Sequence, residues 1–210
     1  MSFARAKVHP AAIGVAIADR PENLQDFLEP SCAAAIWRRQ LAPDFQAWIN
    51  GLDPANLPQG RIILQPEAVG AAVTELCEIA QTPAGPERDQ LIADIDVLAE
   101  IFAALMQARY LRLRLQPVTS NACRRFHIDA ITARLVCTYR GAGTQYGISS
   151  DGQDPIRVFS VPTGAPILLR GTLWPENPPS GLLHRSPPIE GTGETRLVLV
   201  LDAVFDPEDD

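Results

Sequence analysis

Four residues in the second half of the chain have types and spacing that could do chemistry. His127 and Asp129 are two positions apart in Cys123-Arg-Arg-Phe-His-Ile-Asp129, His184 is the next histidine, and Arg196 follows twelve residues later in an aliphatic run. Imidazole and carboxylate are ligands for a divalent cation. Two histidines and one carboxylate on one face of a metal leave positions open for further ligands. A guanidinium within Arg196-Leu-Val-Leu-Val-Leu-Asp202 needs an anionic partner if it is buried. A bidentate carboxylate suits its geometry best.

Each residue also has a plainer reading. His127 and Asp129 could share a hydrogen bond on a surface strand. His184 could be a loop histidine in the proline-rich segment, and Arg196 could pair with Asp202 or Glu194. Cys123, four residues before His127, is a candidate soft ligand that would favour zinc, but is expected to be a small buried residue instead. His9 reads as a surface residue, and Trp37, Trp48 and Trp174 as packing.

These residues must be positioned by secondary structure, and the hydrophobic period changes midway. Ser31 is a plausible N-cap for a helix through Trp37 to Leu41. Pro43-Asp44 opens a short helix with Phe45, Trp48 and Ile49 on one side. Pro66 starts another, running to about Ala80. Leu91, Ile95, Leu98, Phe102 and Leu105 form one stripe, predicting a long helix over Glu87 to Arg109. Then Tyr110-Leu-Arg-Leu-Arg-Leu-Gln116 alternates strictly, with its leucines on one strand face. Further strands are expected at Thr132 to Tyr139, Ile156 to Val161, Ile167 to Arg170 and Arg196 to Asp202, separated by Gly and Pro clusters. If the His127 segment is also a strand, His127 and Asp129 point to one side while Phe126 and Ile128 point away.

The expected fold class is therefore α+β: a helical N-terminal region, residues 1–108, packed on a compact β region, residues 109–206, with an acidic tail at 207–210. Apolar residues make up 46% of the 210, enough for a sizeable core. The net charge of -7, with no Lys/Arg block, argues against nucleic acid and anionic membranes as partners. No stretch approaches the roughly 18 apolar residues of a spanning helix. Arg5 and Lys7 precede an apolar run of only eight residues, Ala11 to Ala18, which reads as a core strand or short helix. The four cysteines include no C-x-x-C pair, so reduced thiols in a cytoplasmic protein are expected.

The order His127-x-Asp129, His184, Arg196 resembles the pattern of the 2-oxoglutarate/Fe(II)-dependent dioxygenases. Arg134-Leu-Val-Cys-Thr-Tyr-Arg-Gly-Ala-Gly-Thr144 resembles the strand and turn after the His-x-Asp motif in their prolyl-hydroxylase-like branch. That resemblance implies a double-stranded β-helix of jelly-roll or cupin type. His127, Asp129 and His184 would bind iron, and Arg196 the distal carboxylate of 2-oxoglutarate. Thr138 or Tyr139 would add a hydrogen bond to it, a choice the sequence leaves open. The chain also resembles a bacterial family catalogued as domain of unknown function 1826. The resemblance rests on Ala35-Ile-Trp-Arg-Arg39, Arg125-Phe-His-Ile-Asp129, Arg134 to Thr144, His184-Arg-Ser-Pro-Pro188 and Arg196 to Asp202. That family's genomic company implies metal supply and zinc homeostasis, with a metal-chaperone partner. Two functions follow as expectations: an Fe(II)/2-oxoglutarate oxygenase acting on an unknown small-molecule or protein substrate, or a zinc-binding accessory protein using the same three ligands. A zinc hydrolase ranks below both, for want of a clear general base.

Overall fold

The computed structural model describes residues 11–149 and 153–206. His9 and the acidic residues 207–210 lie outside the described residues. Ten strands occur in chain order: β1 Gly14–Ala18, β2 Cys32–Trp37, β3 Gly60–Leu64, β4 Tyr110–Val118, β5 Ala133–Arg140, β6 Gln145–Ile148, β7 Phe159–Ser160, β8 Pro166–Arg170, β9 Leu182–Arg185 and β10 Arg196–Val204. Among the described residues three α-helices intervene, α1 Pro43–Gly51, α2 Val69–Ile79 and α3 Pro86–Met106, with 3-10 helices at Pro21–Leu28, Pro54–Asn56 and Pro66–Ala68. Seven strands form one sheet in the order β1-β2-β8-β5-β10-β4-β3, and β7-β6-β9 form a smaller one. Neighbours in both sheets run antiparallel except β1 and β2.

The helices cover one face of the large sheet. In β4, Leu111, Leu113 and Leu115 are fully buried, and in α3 so are Leu91, Ile95, Leu98 and Phe102. They belong to one apolar cluster that also takes in Leu135, Cys137, Tyr139, Leu197, Leu199 and Leu201. Each such side chain contributes about 1.5–3 kcal/mol of burial. Pro86 occupies the first turn of α3, and Gln107, at φ 52°, closes it in the left-handed conformation. Alternate residues of the same strands face the other way. Val136, Val198 and Val200 join a second cluster with Leu182, and it lies between the two sheets.

The first half is not simply helical. The helix expected from Ser31 to Leu41 is corrected: Cys32–Trp37 is β2, between β1 and β8. Ala33, Ala34 and Ala35 are fully buried with neighbours on both faces. A short run buried on both sides shows no period, and here tertiary pairing overrides the helix preference of alanine. β3 is another strand in this half, at the sheet's edge. The run Ala11 to Ala18 does supply a strand, β1. The strand expected over Ile156 to Val161 shortens to β7.

Candidate metal centre and its cavity

His127 and Asp129 do not sit as neighbours on a strand. Their segment is a loop that touches the smaller sheet through one bridge, between His127 and His184 of β9. The two backbones exchange hydrogen bonds, both 3.0 Å, which brings the imidazole centroids to 4.5 Å. Asp129 is anchored separately: its carbonyl accepts from Thr172 N at 2.9 Å. The close approach of Gly171 makes this possible, since a Cβ there would lie 1.8 Å from Ile131 O. The carboxylate and imidazole therefore converge as the strand argument anticipated, by a different backbone route.

The three side chains offer ligand atoms that all lie within 4.8 Å of one another. His184 Nε2 is 3.0 Å from Asp129 Oδ2, and His127 Nε2 is 3.5 Å from Asp129 Oδ1. His127 Nδ1 lies 2.9 Å from the Arg125 carbonyl, which suits a proton on Nδ1 and leaves the Nε2 lone pair facing the carboxylate. Arg134 Nη1 takes Asp129 Oδ1 at 2.6 Å. Buried Oδ2 has no aligned hydrogen-bond donor despite its short contact with His184. Two adjacent ligands of one octahedral cation bound at about 2.1 Å are about 3 Å apart, which is the spacing of these two atoms. The residues fit a divalent cation held by His127 Nε2, Asp129 Oδ2 and His184 Nε2.

Electrostatics point the same way. Burial would raise Asp129, but the contacts with His127 and His184 and the charge of Arg134 outweigh it and hold the carboxyl well below its usual range. Burial keeps His184 below its ordinary 6.5, so it is neutral at pH 7 and able to ligate. The Asp129 contact raises His127.

A cavity of about 110 Å³ lies beside the triad, between β4, β5 and β10 on one side and β9 on the other. Arg196 lines it, only 2% exposed. Its Nε donates to Ala142 O at 2.6 Å and its Nη2 to Thr138 Oγ1 at 3.3 Å. The two carboxylates proposed as its partners are engaged elsewhere. Asp202 accepts from Arg134 at 2.6 and 2.9 Å, and Glu194 Oε1 accepts from Ala142 N at 2.5 Å. Among the described residues Arg196 has no carboxylate in ion-pair contact. Burial lowers it to about 10, which leaves it charged at neutral pH.

Of the two hydroxyl candidates, Thr138 stands with Arg196. Tyr139 does not: it points to the helical face, where its hydroxyl donates to Asp94 Oδ2 at 2.6 Å. That same carboxylate is held by Arg39 at 2.6 and 2.7 Å. Cys123 is corrected from the expected buried residue to an exposed one that lines the cavity, and it lies outside the converging ligand atoms. Trp174 packs on Phe27 with centroids 5.3 Å apart, and carries Arg170 over its ring. Sequence reasoning missed Arg134, which bridges Asp129 and Asp202 and so aims the carboxylate. Strand alternation from Thr138 back to Arg134, and the lone acid at the end of the β10 run, were its available signals.

This architecture, a large sheet with helices on one face and a smaller sheet on the other, is shared with solved dioxygenases. The Arabidopsis thaliana dioxygenase for auxin oxidation 1, solved as a complex with 2-oxoglutarate, matches with a TM-score of 0.55 and 11% identity over 94% of each chain. The rice dioxygenase for auxin oxidation matches with a TM-score of 0.52 and 14% identity, over 94% of this chain and 84% of that one. At these identities the likeness defines the fold. The chain itself belongs to the family described as "Protein of unknown function (DUF1826)", whose model matches residues 18–202. No curated protein matches it.

Proposed function

We propose that the protein is a non-haem Fe(II)/2-oxoglutarate-dependent oxygenase on a double-stranded β-helix. The observation that carries the reading is Arg196: a buried, charged guanidinium lines the cavity beside a His-Asp-His group, and its nearby acids serve other residues. A buried cation without a counter-charge is costly, and an anionic co-substrate relieves that cost. His127, Asp129 Oδ2 and His184 would hold Fe(II), and Arg196 with Thr138 would bind the distal carboxylate of 2-oxoglutarate. When bound, iron and co-substrate supply oxidation by O₂: 2-oxoglutarate leaves as succinate and CO₂, one oxygen atom entering succinate and the other the substrate.

The chain's own residues position and exclude. Arg134 occupies Asp129 Oδ1, so the carboxylate is left to bind through one oxygen. Backbone pairing fixes the two imidazoles relative to each other. Val136, Val198 and Val200 make the cavity floor apolar, which limits competing water. The zinc-accessory alternative gains no soft ligand, since Cys123 stands outside the group.

The test is anaerobic titration of 2-oxoglutarate into the Fe(II) protein, followed by admission of O₂ and measurement of succinate. Saturable 2-oxoglutarate binding that needs iron and Arg196, with succinate released in the presence of O₂, supports the reading. Tight metal binding with no 2-oxoglutarate binding refutes it.

A further inference from the structure

The metal cavity is small. Its volume of about 110 Å³ is well below the roughly 300–1,000 Å³ of ordinary small-molecule sites. It has room for one compact co-substrate, so an organic substrate needs adjoining space. A surface groove of about 420 Å³ provides it, lined by Gln59, Arg61, Arg114, Gln116 and Pro117 among others. Arg114 and Gln116 line both the groove and the metal cavity, so the two adjoin there.

The groove carries arginines without acids. Arg114 alternates with buried Leu113 and Leu115 on β4, which turns it to the cavity face. It pairs across the sheet with Val200 of β10 and with Arg61 of β3, so two cationic positions lie side by side. Among the described residues neither has a carboxylate in ion-pair contact, and Arg114 makes no hydrogen bond to protein. The inner-face carboxylates Asp129 and Asp202 both turn to Arg134. Arg185, which also lines the cavity, is engaged by Gln145 and stacked over Phe126.

Two plainer accounts fit poorly. A charged side chain on the edge strand β3 is expected as protection against edge pairing, and that accounts for Arg61. Arg114 lies one strand further in, half-buried and covered by β3, where no such reason applies. Nor does the molecule as a whole attract anions, since its net charge is -7. A local concentration of arginines against that background focuses potential on one cleft. Burial and repulsion from Arg134 and Arg61 outweigh the attraction of Asp202 and weaken the hold of Arg114 on its proton, a cost that a bound anion would reverse.

We propose that the groove at Arg61, Arg114 and Gln116 receives the substrate of this site and binds an anionic group on it, a carboxylate or a phosphate, with Arg114 as the specificity-determining residue. The proposal rests on the oxygenase reading only for the word substrate; the anion site itself stands on the groove. It places the substrate beside the valine floor, on the β3 side of the line between the triad and Arg196. The occupant is a small organic anion, which the groove's volume of about 420 Å³ accommodates.

The test uses the metal-free full chain with ¹⁵N-labelled arginine, observed at the side-chain Nε–H resonances. The Arg114 signal is identified by its loss in Arg114→Gln. Inorganic phosphate and acetate are the probes, and acetamide is the neutral control. A saturable shift of Arg114 with phosphate or acetate but not acetamide, retained in Arg196→Met, is expected. The stronger of the two anions indicates a phosphate ester or a carboxylate. Binding followed at the Arg61 resonance should weaken about tenfold or more in Arg114→Gln, as for loss of one charge-assisted hydrogen bond. Arg114→Lys should retain weaker binding. No shift, an equal shift with acetamide, or disappearance of the shift in Arg196→Met overturns the proposal. A retained Arg114 shift in a protein whose iron form never binds 2-oxoglutarate keeps the anion site and removes the oxygenase reading.

Discussion

Arg196→Met separates a ligand-binding arginine from a structural one. Burial moves the guanidinium from 12.5 to about 10, a penalty of about 3 kcal/mol on the charged form at about 1.4 kcal/mol per tenfold. Its two hydrogen bonds, to Ala142 O and Thr138 Oγ1, return about 1 kcal/mol each. Methionine keeps much of the aliphatic stem, carries no charge, and leaves the exposed Ala142 carbonyl to water. The ligand-free variant is therefore expected to melt within a few degrees of the parent or above it, at roughly 2–4 °C per kcal/mol for a chain of this size. The same substitution removes the charge-assisted bonds to a dicarboxylate, worth about 3 kcal/mol together, or more than a hundredfold in affinity. Differential scanning calorimetry of the metal-free proteins measures the first effect, and anaerobic calorimetric titration of 2-oxoglutarate into the Fe(II) form measures the second. Arg134→Met is the contrast. It removes the shortest cationic contact of Asp129 and of the 3%-exposed Asp202, leaving Asp202 only Arg112 at 3.7 Å, and should cost about 3–5 kcal/mol. If Arg196→Met destabilises as much as Arg134→Met, or binds 2-oxoglutarate unchanged, Arg196 is a structural residue and the reasoning fails.

Four further outcomes follow from the same geometry. Metal affinity should rise with pH. The metal-free His127 is raised above 6.5 by Asp129, so that pair's stabilisation is fully present below pH 6.5, is lost as pH passes the raised value, and is displaced by the metal. Titrations at pH 6 and 8, with about one proton released per ion near neutrality, check the sign. Gly171→Ala should lower both melting temperature and metal content, since its Cβ would collide with Ile131 O in the loop that anchors Asp129. Tyr139→Phe should cost about 1 kcal/mol and leave 2-oxoglutarate affinity unchanged, because the hydroxyl serves Asp94 on the opposite face; a tenfold loss of affinity would contradict that placement. Native thiol titration should modify Cys123 rapidly and Cys32, Cys77 and Cys137 slowly. The last three are buried, with Cys137 pushed up to about 12 by desolvation, and Cys123→Ser should abolish the fast phase.

The sequence by itself determined the elements whose pattern is local. The α3 stripe, the alternation in β4, the Pro43-opened helix α1, and α2 behind the 3-10 turn at Pro66 each follow from spacing along one segment. It also supplied His127, Asp129, His184 and Arg196 as candidates, because histidines are scarce and a charge in an aliphatic run is conspicuous. Only the tertiary structure decided how they meet. β2 is a strand because strands flank it on both sides, and no period in Cys32–Trp37 records that. His127 reaches His184 through a backbone bridge between segments 57 residues apart, and Asp129 is oriented by Arg134 and Gly171 rather than by strand alternation. The fate of Arg196 rested on pairing choices made elsewhere: Asp202 goes to Arg134, Glu194 to the backbone of Ala142, and Tyr139 to Asp94 on the far face. Charge compensation in a folded sheet is set by register across strands, since partners that neutralise one another are neighbours in space and distant in the chain.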